Sequence, residues 1–142
     1  MMSTALVVLQ LALIAAIAWP WSAASFHPAG LAPIAVAIAL GAWTLTANRL
    51  GNFSVFPEPL ARAKLVTGGP YRHVRHPMYL AVLLAALGCV VGWSTWIHAA
   101  VLVALAAVLH VKAGVEERAL LARFPEYRAY RDRTPRILPF LR

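Results

Sequence analysis

The charged residues of this chain are confined to two segments that alternate with long apolar runs. Residues 1–48 contain no Asp, Glu, Lys or Arg, and neither do residues 76–111. A membrane-crossing helix needs about 20 mostly apolar residues, so the pattern predicts spans at 5–21 and 31–47. A cleavable signal peptide is an alternative for the first run, since Ser22-Ala23-Ala24 resembles a cleavage site. Residues 1–4, however, lack the positive charge of such peptides.

The third apolar run, residues 77–111, is too long for one crossing. At about 1.5 Å per residue it would measure roughly 52 Å, against a hydrocarbon core of about 30 Å. Gly92 and the polar pair Ser94-Thr95 offer a turn near its middle, which predicts a hairpin of spans 77–91 and 95–112, the second helix continuing to about residue 121. The chain is therefore predicted to be one all-α integral membrane domain, 1–142. It has about four transmembrane helices, a polar loop 48–76 and a C-terminal cap, 113–142.

Composition excludes a soluble protein. Hydrophobic residues make up 61% of the 142 residues, against about 45–50% in soluble domains, and the single cysteine, Cys89, excludes a disulfide scaffold. With four spans, all 13 Lys and Arg residues fall on one side, which the positive-inside rule makes cytoplasmic together with both termini. The Ala- and Arg-rich composition favours a bacterial inner membrane. We expect membrane lipids as partners of the basic surface and no nucleic acid, because no solvated domain displays the charge.

The loop before the third span concentrates residues able to bind a ligand. Pro77 suits the first position of a helix, which leaves free backbone N–H groups just before it. Tyr71 and Tyr79 can be interfacial anchors, and the neighbouring arginines can bind lipid phosphates. His73 and His76 make a poor metal site without cysteine or carboxylate nearby, so we predict no metal.

Two ordered motifs give a more specific signal. The loop resembles the isoprenylcysteine carboxyl methyltransferase family in its Arg75-His76-Pro77-Met78-Tyr79 motif and in the segment leading to it, Leu65-Val66-Thr67-x-Gly69-Pro70-Tyr71-Arg72. The family's Glu-Glu pair follows as Glu116-Glu117, and its C-terminus as Tyr127-x-x-Tyr130 with Thr134-Pro135-Arg136. The similarity covers roughly residues 52–140.

The resemblance implies a membrane enzyme that uses S-adenosylmethionine without a Rossmann fold. It implies main-chain cofactor contacts in the loop and side-chain contacts around the two motifs, namely Ala63, Lys64, Leu65, Val66, Tyr71, His76, Pro77, Met78, Tyr79 and Glu116. Lys112 then occupies the position associated with the methyl acceptor, and no catalytic base is assigned. The implied partner is a lipophilic acceptor that enters from the bilayer.

Two departures from the family pattern leave the acceptor open. Lys112 replaces the usual arginine and lacks its bidentate fork, and segment 124–127 is one residue shorter. An isoprenylcysteine carboxylate, a phospholipid amine and a small thiol are all candidates. Two other function classes stay open, a non-catalytic membrane scaffold and a membrane reductase that uses NADPH.

Overall fold

The structure is a computed structural model, and it describes residues 2–48 and 64–141. Within these ranges every regular element is helical, and there is no strand. The five α-helices are α1 (Met2–Ala18), α2 (Leu31–Asn48), α3 (Pro77–Trp93), α4 (Trp96–Arg123) and α5 (Tyr127–Arg133). Short 3₁₀ turns occupy Pro28–Gly30 and Gly69–Arg72. The prediction of an all-α fold is confirmed for the described part of the chain.

Two helical stretches among the described residues are long and apolar enough to cross a membrane. They are Pro28–Asn48 and Trp96–Arg123, while Thr4–Ala18 and Pro77–Trp93 are shorter apolar helices. Large apolar side chains such as Ile38, 68% exposed, and Val103, 70% exposed, face outward, which is typical of surfaces that contact lipid or a partner. That α1 to α4 all cross a membrane stays a prediction.

The helix boundaries follow local sequence signals. Helix α1 ends at Ala18, three residues before the end of the predicted span 5–21. It ends there because Pro20 disfavours helical geometry in the residue before it. The indole of Trp21 instead donates a 2.7 Å hydrogen bond to the carbonyl of Ala16. Between α3 and α4, Ser94 adopts a left-handed φ of 50° and Thr95 caps α4. The predicted hairpin turn is therefore at residues 94–95.

The helices pack in pairs, with α2 along α3 and α1 along α4, and α3 contacts α4. Glycines permit the closest approach of α3 to the start of α2, since a Cβ on Gly88 would lie 2.6 Å from the carbonyl oxygen of Gly30. Small residues allow this kind of backbone contact between membrane helices. The main buried cluster includes Ile17, Tyr79 and Leu109. Helix α3 is thereby held between α2 and α4, with its N-terminus beside the acidic pair of α4.

Candidate functional site

The loop before α3 delivers His76 to the start of the helix. Gly69 has a φ of +58°, which favours glycine, and it begins the 3₁₀ turn Gly69–Arg72. His76 is the N-cap residue of α3 and Pro77 follows at its start. The predicted position of Pro77 at the first turn of α3 is thus confirmed. His76, the residue before it, is buried, with 7% of the residue exposed.

Three of the predicted site residues contact one another, and we call them the His76–Tyr79–Glu116 cluster. The hydroxyl of Tyr79 donates a 3.0 Å hydrogen bond to Oε2 of Glu116, and Nδ1 of His76 lies 3.2 Å from the same oxygen. The rings of His76 and Tyr79 are stacked, with centroids 5.2 Å apart. One turn of α3 and the C-terminal part of α4 are thus joined by two short polar contacts.

Glu117, the second member of the acidic pair, is more deeply buried and has more partners. Its side chain is 3% exposed, against 22% for Glu116. Arg136 binds it through both carboxylate oxygens, at 2.9 and 3.2 Å. Nε2 of His76 lies 3.1 Å and Nε of Arg75 3.2 Å from Oε1 of Glu117. Hydrogen bonds from Arg136 and His76, together with the nearby charge of Arg75, thus compensate the buried carboxylate.

The C-terminal segment is attached to the loop by backbone as well as side-chain contacts. The backbone N–H of Arg75 donates to the carbonyl of Pro135 at 2.8 Å, and that of His76 donates to Arg136 at 3.0 Å. The hydroxyl of Tyr130 on α5 donates to the carbonyl of Tyr71 at 2.6 Å. The loop, α4 and the C-terminal segment therefore form one connected polar layer at one end of α3.

The contacts of His76 favour its charged form. Burial alone would lower the pKa of His76, but hydrogen bonds to Glu116 and Glu117, together with their charges, outweigh burial and raise it. Each ring nitrogen faces a carboxylate, and ionised carboxylates only accept hydrogen bonds. Both nitrogens can donate only when His76 is an imidazolium. The histidine therefore links the two glutamates as a cation.

Lys112, predicted to contact the acceptor, points toward the cluster. It is 2% exposed, and Nζ donates a 2.7 Å hydrogen bond to Oε1 of Gln10 on α1. The same ammonium lies 5.5 Å from the ring centroid of Tyr79, within cation–π distance. Lys112 therefore lies inside the helix bundle and does not extend to the lipid headgroups.

The remaining predicted residues lie along the approach to α3. Lys64 is exposed, Leu65, Val66, Tyr71 and Met78 are partly buried, and Ala63 lies outside the described residues. Burial, reinforced by the charge of Glu116, raises the pKa of Tyr71 to about 12. His73 is exposed, with its ring 6.1 Å from that of Trp43. In residues 2–48 and 64–141 no group of three His, Cys, Asp or Glu side chains could hold a metal ion.

Sequence reasoning missed Gln10 and the partners of Glu117. Gln10 is the single amide in the apolar helix α1, and a lone polar side chain within an apolar helix indicates a buried partner. Arg75 and Arg136 belong to quoted motifs, but their pairing with Glu117 joins residues 42 and 19 positions apart. The chain has only five acidic residues, so a carboxylate beside an apolar run could have indicated a partner of opposite charge.

Comparison with known proteins finds a match over most of the described site. The family model for phospholipid methyltransferases matches residues 26–126, which include the loop, α3 and α4. The cobalt-zinc-cadmium resistance protein CzcN of Cupriavidus metallidurans is 38% identical over 78 residues, which are 54% of this chain and 36% of that protein. The chain thus covers about a third of that relative's length. No solved structure matches the chain.

Proposed function

The chain belongs to the phospholipid methyltransferase family, and from this premise we propose that it transfers a methyl group from S-adenosylmethionine to a lipophilic acceptor at a membrane surface. The observation that carries the proposal is the His76–Tyr79–Glu116 cluster with Lys112 over the same tyrosine ring. It places an aromatic face, a carboxylate and a second cation within one small region, as binding of a charged cofactor and an acceptor requires.

The side chains of the cluster fit the cofactor's functional groups. Glu116 keeps 22% of its side chain accessible, so its carboxylate can accept hydrogen bonds from the cofactor's ammonium or ribose hydroxyls. The face of Tyr71 can attract the sulfonium by cation–π interaction, whereas the ring of Tyr79 is stacked on His76 and has the Lys112 ammonium over it, so Tyr79 acts through its hydroxyl contact with Glu116. The backbone N–H groups just before Pro77, which the sequence led us to expect free, instead donate to the C-terminal segment, from Arg75 to Pro135 and from His76 to Arg136, so they are not proposed as cofactor donors. The proposed cofactor residues are Ala63, Lys64, Leu65, Val66, Tyr71, His76, Pro77, Met78, Tyr79 and Glu116.

Glu117 has a different proposed role, which is to position His76. Its carboxylate is enclosed by Arg75, His76 and Arg136 and has little surface left for a ligand. By holding Nε2 of His76 it fixes the imidazole plane, so that Nδ1 stays directed at Glu116. Preorganisation of this kind keeps a binding group in its productive geometry.

The chemistry asks for alignment more than for acid–base groups. S-adenosylmethionine, when bound, supplies a methyl group activated by the adjacent sulfonium. The protein has to hold the acceptor's nucleophile in line with that group and exclude water from the site. The buried ammonium of Lys112 is suited to orient an anionic acceptor, such as a carboxylate or a lipid phosphate ester, and it can lower the pKa of a thiol.

We further propose that α1 to α4 all cross the membrane, with both termini and the loop on the cytoplasmic side of a bacterial inner membrane. The support is the distribution of charge, since all 13 Lys and Arg residues fall on one side of a four-span chain. The water-soluble cofactor would then reach the loop side of α3 directly, while the acceptor arrives laterally from the bilayer.

Calorimetry of the purified protein with S-adenosylhomocysteine tests the cofactor assignment. Wild-type protein should bind one equivalent. Glu116→Gln should weaken binding by about 1.5–3 kcal/mol, roughly 10- to 150-fold, if a charged hydrogen bond is lost. His76→Ala should also weaken it, whereas His73→Ala, the matched control in the same loop, should not.

Three outcomes would contradict this proposal. Equal losses at the two histidines would show that the motif alignment is misleading. Binding of NADPH instead of S-adenosylhomocysteine would indicate a membrane reductase. Binding of neither by a folded protein would indicate a scaffold.

A further inference from the structure

A cavity lies between α3, α4 and the C-terminal segment, outside the proposed methyl-transfer site. Its volume is about 540 Å³. Leu83 of α3, Ala106 of α4 and Ile137 contribute apolar walls, while His110, Arg131 and Arg136 contribute polar ones. Among the residues that the structure describes, no proposed cofactor residue lines it, and neither does Lys112.

The cavity and the methyl-transfer site face different sides of α4. Successive residues of an α-helix are rotated by about 100°, so Lys112 and Glu116 point roughly 120–160° away from His110. The ion pairs of Glu117 with Arg75 and Arg136 lie at the border, because both arginines also line the cavity. The cavity is therefore a separate site behind this layer of ion pairs.

Positive charge is in excess at one end of the cavity. Arg75, Arg131 and Arg136 all lie within 4.0 Å of Glu117, so three guanidinium groups share one carboxylate there. Among the described residues of the lining Asp132 is the one acidic side chain, and its single charge leaves this end cationic. Arginine forks bind phosphate and carboxylate groups well, and Arg131 keeps 44% of its side chain accessible for such a group.

The other end of the cavity is suited to a hydrocarbon chain. Leu83 and Ala106 lie well inside the apolar runs of α3 and α4, whereas the arginines lie at the polar end. The C-terminal residues beside the cavity are also apolar and exposed, with Leu141 63% and Phe140 94% accessible. A cationic end at the level of the charged segments and an apolar end within the helices match the two parts of a lipid oriented in a bilayer.

We propose that this cavity binds an anionic phospholipid, with its phosphodiester against Arg131 and Arg136 and an acyl chain between Leu83 and Ala106. The bound lipid is a ligand that does not receive the methyl group, since the wall of ion pairs separates it from Lys112 and Glu116. The lipid would contact Arg131 and Arg136, which pair with Glu117. A lipid of the surrounding membrane would in this way stabilise the ion pairs beside the methyl-transfer site. The inference requires a membrane location but does not depend on methyl transfer.

The test of this site is equilibrium binding of lipid to the delipidated protein in detergent, with native mass spectrometry as the readout. The probes are dioleoyl phosphatidylglycerol, dioleoyl phosphatidylcholine with the same chains, and inorganic phosphate. We expect one tightly bound phosphatidylglycerol and weaker binding of phosphatidylcholine. Arg131→Gln should lower affinity for phosphatidylglycerol about fivefold, while Arg128→Gln, the matched exposed arginine on α5 that does not line the cavity, should leave it unchanged.

A second variant tests the acyl-chain end. Ala106→Phe should fill the space beside Leu83 and lower lipid affinity, while binding of S-adenosylhomocysteine and helical content stay at the wild-type level. Equal affinities for the two lipids would overturn the proposal, as would equal losses in Arg131→Gln and Arg128→Gln. Displacement of the lipid by millimolar inorganic phosphate would show that the site takes a free anion. Transfer of the methyl group to the lipid in this cavity would show that it is the acceptor site.

Discussion

Replacing Glu117 by glutamine should destabilise the protein far more than the same change at its neighbour Glu116. Glu117 is 2% exposed and accepts two hydrogen bonds from Arg136 and one from His76. A glutamine of the same shape offers one acceptor oxygen and turns an NH₂ donor toward donors. The substitution therefore leaves buried cations without their counter-charge.

The magnitude follows from the exposure of those cations. Breaking a buried ion pair by removing one partner costs about 3–5 kcal/mol. Because the side chain of Arg136 is 26% exposed and can regain water, we expect the lower end, about 3 kcal/mol. In Glu116→Gln the amide oxygen still accepts from Tyr79, so the loss should be about 1 kcal/mol or less.

Thermal unfolding in detergent, followed by far-ultraviolet circular dichroism, measures the difference. Glu117→Gln should lower the unfolding midpoint by several degrees more than Glu116→Gln. The order should be reversed for cofactor binding measured by calorimetry, because Glu116 is the residue proposed to contact the cofactor. S-adenosylhomocysteine affinity per folded molecule should fall more in Glu116→Gln. Equal destabilisation by the two substitutions would refute the assignment of a positioning role to Glu117 and a binding role to Glu116.

Three further outcomes follow from the same contacts. Lys112→Met should lower turnover about 10- to 100-fold and leave S-adenosylhomocysteine affinity unchanged. Gln10→Leu should also lower turnover, because Nζ of Lys112 loses its 2.7 Å acceptor. Wild-type turnover in both variants would refute the acceptor role of Lys112. The stabilising charge of His76 is present below the unfolded pKa near 6.5 and is lost as pH rises through its raised folded pKa. Unfolding midpoints should accordingly fall above neutral pH in wild type and stay flat in His76→Gln, and parallel pH profiles would contradict this. A cysteine introduced within 133–141 should react with an impermeant maleimide only from the cytoplasm, and one near His27 only from outside, whereas the reverse pattern would overturn the topology.

Local sequence signals predicted the helical elements because each depends on neighbouring residues. The uncharged runs give the positions of α2, α3 and α4, and Pro77 gives the start of α3. The early end of α1 was also readable, from Pro20. The membrane crossing of α1 depends on its surroundings in the bilayer, so the length of 17 residues does not determine it.

The site was only partly predictable, because its contacts join distant parts of the chain. The family resemblance grouped His76, Tyr79 and Glu116, which do contact one another. It did not indicate that Glu117 binds Arg136, since that pair depends on how the C-terminal segment returns to the loop. The contact of Gln10 with Lys112 spans 102 positions and lies partly outside the family match, and only the packing of α1 on α4 creates it.

Methyl transfer itself tests the central claim most directly. Purified protein in lipid nanodiscs would be incubated with methyl-tritiated S-adenosylmethionine and a total bacterial extract that contains lipids, carboxylates and thiols. We predict protein-dependent incorporation of tritium into an organic-extractable acceptor, strongly lowered in Glu116→Gln and in Lys112→Met. Tritium that remains entirely in the cofactor, with a folded wild-type protein that binds S-adenosylhomocysteine, would contradict a methyltransferase.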